Sequence, residues 1–370
     1  MEANFGRTPP FSLGVEEEFQ LLHPETYDLT SRFDEVVTAA GEDTPIKAEL
    51  LQSTAEVATR IARTVGEAVG HARELRALVR EAATEQGIVF ASAGTHPFSR
   101  WEHQDVTEQD RYRDLIEAMQ WVAERALIFG LHVHVGLQSP QQAIAIANAL
   151  RTWLPELLAL SANSPFWQGI DTGLASTRSK VFDAFPRSGL PPALSSFEEF
   201  ELLVERGVRT NSFRDYTYIW WDLRPHPKLG TIEVRICDAQ TRIESVAAIV
   251  ALVQSLVATL AERHERSGSL PIQPITLVAE NKWRAARYGL ETALIDLEHD
   301  TERPGREAVR ALVELAEPAA RRLGCAEELG EVERVLERGT GAQEQRHVHE
   351  KTGSLLAVAQ WLAERTIEAI

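Results

Sequence analysis

Apolar and polar residues alternate with period two in four short segments of the chain and recur with helical spacing in three longer ones. In SLGVEEEFQLL, Glu16, Glu18 and Gln20 share one face and Val15, Phe19 and Leu21 the other, which predicts a strand. Glu17 breaks that pattern, since it falls among the apolar residues. In AELLQSTAEVATR, Thr54, Glu56 and Ala58 alternate with Ala55 and Val57, although Ser53 and Glu56 also have the spacing of a helix cap. In LHVHVGL, His132 and His134 oppose Val133, Val135 and Leu137; in GTIEVRICDAQ, Thr231, Glu233 and Arg235 oppose Ile232, Val234 and Ile236. The helical readings begin with Thr64 and Glu67, a capping box followed by Val65, Val69, Ala72, Leu75 and Val79 and stopped by Gly87. Pro140 opens a second helix with Ile144, Ala147, Leu150, Leu154 and Leu158 on its buried stripe. A third is predicted from about Arg242 to Arg266, and its apolar run Val246 to Leu260 is read as buried, being too short to span a bilayer. The carboxy-terminal third, from Pro304 and again from Leu355, is helical and laced with charge, as solvated faces are.

Each predicted strand has an apolar back and a face carrying Glu, His or Arg. Pairing the strands would gather those groups on one side of a mainly antiparallel sheet, with helices over the other side. YTYIWWDLRPHP runs into GTIEVRICDAQ through a short loop, as a hairpin does, and the elements do not alternate strictly as strand and helix. The expected fold class is therefore α+β. No repeat or long linker divides the chain, so residues 1–370 are read as a single catalytic domain, and 44% hydrophobic content is enough for a sizeable core.

Charge narrows the function classes. Lys plus Arg total 38 against 55 Asp plus Glu, a net charge of -17, which disfavours binding to a phosphate backbone, so no nucleic-acid partner is expected. Cys237 and Cys325 have no paired spacing; they are read as small apolar residues in a reduced compartment. The start, MEANFGRTPPFS, lacks a basic stretch followed by an apolar run, so a cytoplasmic protein without a membrane partner is expected. Neither GxxxxGK[ST] nor a GxGxxG after a strand is present, so any nucleotide must be held by another device.

Carboxylates and imidazoles converging on one face would repel or shift one another's pKa unless a cation sits among them. Oxygen-rich donors suit Mg²⁺ or Mn²⁺, and Arg235, on the same face as Glu233, can meet phosphate oxygens with both arms of its guanidinium. Metal and arginine together suggest phosphoryl transfer. A lone Glu-x-Glu is usually a solvated strand face, but here it occurs with His-x-His and Glu-x-Arg, each backed by clean apolar alternation. Trp220 and Trp221 are read as sheet packing rather than substrate walls.

GVEEEFQLL, AELLQSTAEVATR, SAGTHPF, HVHVGL, SANSPFWQGIDTGLASTRS, WWDLRPHPKLGTIEVRICDAQ, AENKWRAARYG and GTGAQEQR, in this order, resemble the ATP-dependent carboxylate-amine ligases of the type 2 glutamate–cysteine ligase family, from about residue 11 to 368. The resemblance implies a glutamine-synthetase-like fold, a curved antiparallel sheet forming a funnel with helices outside and ATP and metal ions inside. It implies that ATP phosphorylates a carboxylate and that an amine attacks the acyl phosphate, with glutamate and cysteine as substrates and weak glutamate–cysteine activity. By the same resemblance, Glu16, Glu18, Glu56 and Glu233 are metal ligands, and His132 or His134 lies near metal and ATP phosphate. Arg235 neutralises the transferring phosphoryl group and, with Glu56, is counted as catalytic. Lys282, Arg284, Arg287 and Arg346 are further contacts to nucleotide or acyl phosphate, a basic helix face being the other reading of the first three. Thr95, His96, Arg178 and Arg224 are assigned to the substrate carboxylate. The family pattern implies a basic residue near Glu344, where this chain is acidic.

Two other functions fit parts of the pattern. A metal-dependent amide hydrolase would hold Zn²⁺ on His132 and His134. A silent homologue would bind ATP without turnover, with Glu344 as its mark. The sequence leaves assembly into a homo-oligomer open.

Overall fold

The computed structural model describes residues 2–41, 43–368 and 370. The main sheet has seven strands: β1 (Leu13–Leu22), β2 (Ile46–Ala48), β3 (Thr54–Ala58), β4 (Val89–Ala91), β5 (Gly130–Gly136), β6 (Leu223–His226) and β7 (Thr231–Asp238). Their order is β6-β7-β5-β1-β3-β2, with β4 pairing the far end of β1, and all neighbours are antiparallel. The α+β expectation and the predicted hairpin, now β6 and β7, are both present. TAEVA is strand β3 rather than a capped helix, because its apolar residues Ala55 and Val57 have a buried face to fill.

The back of the sheet is the core. Val15, Val133, Val135, Ile232 and Val234 share one buried cluster with Val69 and Ala72 of the Val65–Glu85 helix and with Val246, Ile249, Val250 and Val253 of the Ile243–Ser267 helix. Each such aliphatic side chain contributes roughly 1.5–3 kcal/mol on burial. Thr64 caps the first of these helices, its hydroxyl accepting from the Glu67 N–H at 3.1 Å. Gly87, at φ 64°, turns the chain just past the helix end.

The Ile243–Ser267 helix has nearly the bounds expected of it. It is not too short to span a bilayer, since both it and Pro140–Ser161 are long and apolar enough to cross a membrane by length and composition. Packing decides the matter: 89% and 78% of their apolar windows are buried inside the protein.

Glu17 also finds its place. It points into the back of the sheet, 2% exposed, and accepts from Arg76 of the Val65–Glu85 helix, Nη2 to Oε1 at 2.5 Å and Nε to Oε2 at 3.2 Å. Arg76 donates further to the Gln240 carbonyl at 2.7 Å and the Thr241 carbonyl at 2.9 Å, so the segment just after β7 is tied to the back of β1.

Candidate active site

Strand register assembles the site. Glu16 lies opposite His132 across β1 and β5, His134 opposite Glu233 across β5 and β7, Glu233 opposite Arg224 across β7 and β6, and Glu18 opposite Glu56 across β1 and β3. Period-two alternation turns these side chains to one face, where they line a cavity of about 420 Å³.

Two groups within the cavity have the makings of cation sites. Glu16, His134 and Glu233 offer ligand atoms within 4.8 Å of one another. His132 Nδ1 lies 3.2 Å from Glu16 Oε2, and His134 Nδ1 lies 3.0 Å from the Thr231 hydroxyl. Burial would raise the pKa of Glu16, but hydrogen bonds with His132 and His134 hold it well below the carboxylate range. Glu233 is likewise held low against its burial, by the charges of Arg224 and Arg235 and then His134. Burial, with the Arg235 charge, pushes His132 down to about 4, while the charge of Glu233 and the hydrogen bond to Glu16 raise His134 despite its burial.

The second group is Glu18, Glu49 and Glu56, again within 4.8 Å. Burial and the Glu49 charge push Glu18 up to about 7 and Glu56 well above its usual range. Carboxylates crowded in this way, with Glu18 and Glu56 pushed toward their neutral forms, are the condition a divalent cation relieves. Buried Nε2 atoms of both His132 and His134 also lack a hydrogen-bond partner among the described residues. Oxygen donors outnumber nitrogens, so the residues fit Mg²⁺ or Mn²⁺.

Two backbone features make room for this chemistry. A β-bulge in β7 between Val234 and Cys237 breaks the pairing with β5, and the Arg235 N–H donates instead to the Asp222 carbonyl at 2.8 Å. Arg235 pairs with Glu233 through Nη1, and its buried Nε has no partner among the described residues. At Gly130, a Cβ would lie 2.4 Å from Arg178 Nη2 and 2.8 Å from His132 Nε2, so only glycine admits both groups. The Gly130 N–H donates to Glu18 Oε2 at 2.5 Å.

The structure brings Glu16, Glu18, Glu56, Glu233, His132, His134, Arg178, Arg224 and Arg235 to the cavity. Arg224, however, is spent on protein: it donates to Glu233 at 2.6 Å and to the Thr217 and Ile219 carbonyls at 3.1 and 2.6 Å, which makes it a support for Glu233 rather than a free receptor for a carboxylate. Thr95 and His96 do not line the cavity. The Thr95 hydroxyl donates to the Phe166 carbonyl at 2.7 Å, and His96 joins the Tyr27 carbonyl at 2.9 Å to the Ser99 N–H at 2.9 Å. Burial pushes His96 down to about 4, the mark of a neutral core imidazole.

The basic set assigned to the nucleotide lies apart from this cavity. Lys282 is buried between Asp183 and Asp222, 2.7 Å from each. Arg284 pairs with Glu280 and Glu302, Arg287 donates to the Gly173 carbonyl, and Arg346 meets Asp171 at 2.7 Å. All four lie outside the cavity lining; Lys282, Arg284 and Arg346 are paired with acids, and Arg287 is held by a carbonyl. Glu344 pairs with Arg242 at 2.9 Å and with Arg338 at 3.4 Å, also off the cavity. The motif around it serves packing: a Cβ on Gly341 would lie 1.9 Å from Asn163 Oδ1, and Gln345 donates to that same oxygen at 2.8 Å.

Lys47, Glu49 and Arg111 line the cavity without having been foreseen. Lys47 had a signal only once register was known, since it pairs opposite Glu56. Glu49 follows the end of β2 and shows no periodicity of its own. Trp220 lines the cavity, whereas Trp221 packs near Phe200, so only the second is purely packing. Both cysteines are buried, and burial pushes the Cys237 thiol up to about 12.

Residues 12–360 match the glutamate–cysteine ligase family 2. A Rubrobacter xylanophilus protein with the provisional name glutamate–cysteine ligase 2-1 is 45% identical over 362 residues, 97% of this chain and 96% of that one. A Solibacter usitatus protein provisionally named glutamate–cysteine ligase 2 is 41% identical over 361 residues, 97% and 94% of the two chains. In three dimensions the chain resembles the glutamate–cysteine ligase of Francisella tularensis, solved in complex with AMP, with a TM-score of 0.71 at 12% identity over 97% of this chain and 90% of that one. It also resembles a bifunctional glutathione synthetase of Pasteurella multocida, with a TM-score of 0.68 at 15% identity, over 97% of this chain and 53% of that one.

Proposed function

Since the chain belongs to glutamate–cysteine ligase family 2 and is an ATP-dependent carbon–nitrogen ligase, we propose that it joins glutamate, as the carboxylate, to the amine of cysteine, giving γ-glutamylcysteine, ADP and phosphate. The observation that carries this reading is that two acidic groups able to hold a cation, and Arg235, surround one cavity.

Glu16, His134 and Glu233 would hold one Mg²⁺ or Mn²⁺, and Glu18, Glu49 and Glu56 another. Bound there, the ions would screen the charge of the ATP phosphates and of the acid being activated. Arg235, with an unpartnered Nε, is suited to the equatorial oxygens of the transferring phosphoryl group. Transfer breaks the bond between the γ-phosphorus and the oxygen bridging it to the β-phosphate, and forms a bond to a carboxylate oxygen. The cysteine nitrogen then attacks the acyl carbon, phosphate leaves, and the nitrogen gives up a proton. No covalent bond to the enzyme is needed. Lys47 and Arg111, which reach the same cavity, are suited to the anionic ends of nucleotide or substrate.

The donor set supports a ligase over a zinc hydrolase, because carboxylates dominate it and only one of the two histidines joins a ligand group. A silent homologue loses its mark, since Glu344 is neutralised by Arg242 away from the cavity. The same reading takes the chain as one catalytic domain working in the cytosol. The test is ADP release with ATP and Mg²⁺ across acids and amines. ADP formed only when glutamate and cysteine are both present, with the amide seen by mass spectrometry, supports the proposal. Turnover with other pairs alone would replace these substrates, and amide hydrolysis with Zn²⁺ would replace the reaction.

A further inference from the structure

A second cavity of about 240 Å³ shares no lining residue with the first. It lies among Trp153 and Glu156, the end of the Ile243–Ser267 helix, the Ala293–Asp296 strand and the Gly305–Leu323 helix. Three of its charged groups, Glu156, Arg263 and Glu298, have no ion-pair partner among the described residues, and of these Arg263 and Glu298 are exposed to solvent. Glu156 Oε2 is buried and has no hydrogen-bond partner among the described residues, and burial pushes that carboxyl up to about 7. Arg263 lines the same space and has no ion-pair partner among the described residues. By contrast Arg303 and Asp296, also at this cavity, satisfy each other at 2.5 Å. The rest of the wall includes Trp153, Leu312 and Leu315.

An acid and a cation, neither with an ion-pair partner, beside an apolar wall suit a ligand with both charges and a hydrocarbon body. A simple anion would leave Glu156 unanswered, whereas a ligand that adds a carboxylate to an ammonium would also pair Arg263, which is otherwise left to solvent. The volume falls below the usual range for drug-sized ligands, which holds the occupant to a very small molecule. We propose that this cavity binds a free amino acid with an apolar side chain, its ammonium on Glu156, its carboxylate on Arg263 and its side chain against Trp153, Leu312 and Leu315.

The site does not depend on the ligase reaction, so it is tested without ATP. The purified full chain is titrated calorimetrically with L-leucine, L-methionine and L-phenylalanine. Saturable binding of at least one, at one per chain, is expected. Glu156→Gln, nearly isosteric, should weaken it by roughly tenfold or more through loss of the charge-assisted contact, and should leave ligase turnover intact. Ala311→Phe, which fills the cavity, should abolish it, whereas Glu16→Gln should leave it unchanged. No binding of any of the three at millimolar concentration would overturn the proposal. So would binding that survives Glu156→Gln undiminished, or binding lost in Glu16→Gln, which would put the ligand in the first cavity.

Discussion

Glu17 and Arg76 form a two-pronged ion pair, 0–3% exposed, directly behind the strand whose other face carries Glu16 and Glu18. Removing one partner strands a buried charge, so Arg76→Met should cost about 3–5 kcal/mol of stability, and Glu17→Leu a similar amount. The double variant should recover much of that loss, because two apolar side chains leave no unpaired charge. Urea unfolding of the three variants measures it; additive losses would mean that the pair is not coupled.

Glu49 should matter as much to metal binding as the carboxylates of the strand faces. Glu49→Gln is expected to lower Mg²⁺ affinity by at least the 10–100-fold typical of even indirect supports, with little change in thermal unfolding of the metal-free protein. Calorimetric titration with Mg²⁺ checks it, and unchanged affinity would remove Glu49 from the site.

Gly130→Ala tests the crowding around Arg178 and His132. A methyl there displaces groups that must be placed to within about 1 Å, and a displacement of that size costs around 100-fold in rate. Turnover should fall by that order while circular dichroism stays native.

His96 makes stability depend on pH. Its folded pKa, pushed down to about 4 by burial, lies below the 6.5 of a free imidazole. Between those values the unfolded chain holds a proton that the folded protein refuses, so stability is full above pH 6.5 and falls as pH drops toward 4. The full effect is about 3 kcal/mol, from roughly 1.4 kcal/mol per unit. His96→Gln should flatten that part of the profile in urea midpoints taken from pH 7 to pH 4.5; an unaltered slope would show that His96 protonates as freely folded as unfolded.

Arg235 and Arg346 should part company. Arg235→Lys replaces a planar fork with a point charge and should cost most of the turnover. Arg346→Ala removes an ion pair to Asp171 and should leave the KM for ATP unchanged.

What alternation could reveal was legible. Glu16, Glu18, Glu56, His132, His134 and Glu233 sit on regular strands, where period two fixes the face, and they reach the cavity together with Arg235 at the β7 bulge. Glu17 looked like an error because its partner, Arg76, comes from a helix 59 residues away, a distance no local pattern spans. The same blindness hid the partners of the cations. Lys282 and Arg346 are basic residues in motifs of a ligase, but their charges are consumed by Asp183, Asp222 and Asp171, and only the fold brings those acids near. Glu49 escaped notice because it sits where a strand has just ended.

The bulge and long-range pairing of β7 also bear on when the site comes into being. Glu16 on β1 must wait for His132, 116 residues later, and neither the group of Glu16, His134 and Glu233 nor Arg235 is in place until β7 has been made and paired with β5. Contacts so distant in sequence form slowly, after local helices. A nascent or truncated chain ending before Glu233 would therefore carry the early group of Glu18, Glu49 and Glu56 but leave Glu16 and His134 without their third ligand, and the enzyme should switch on only when the last strand docks.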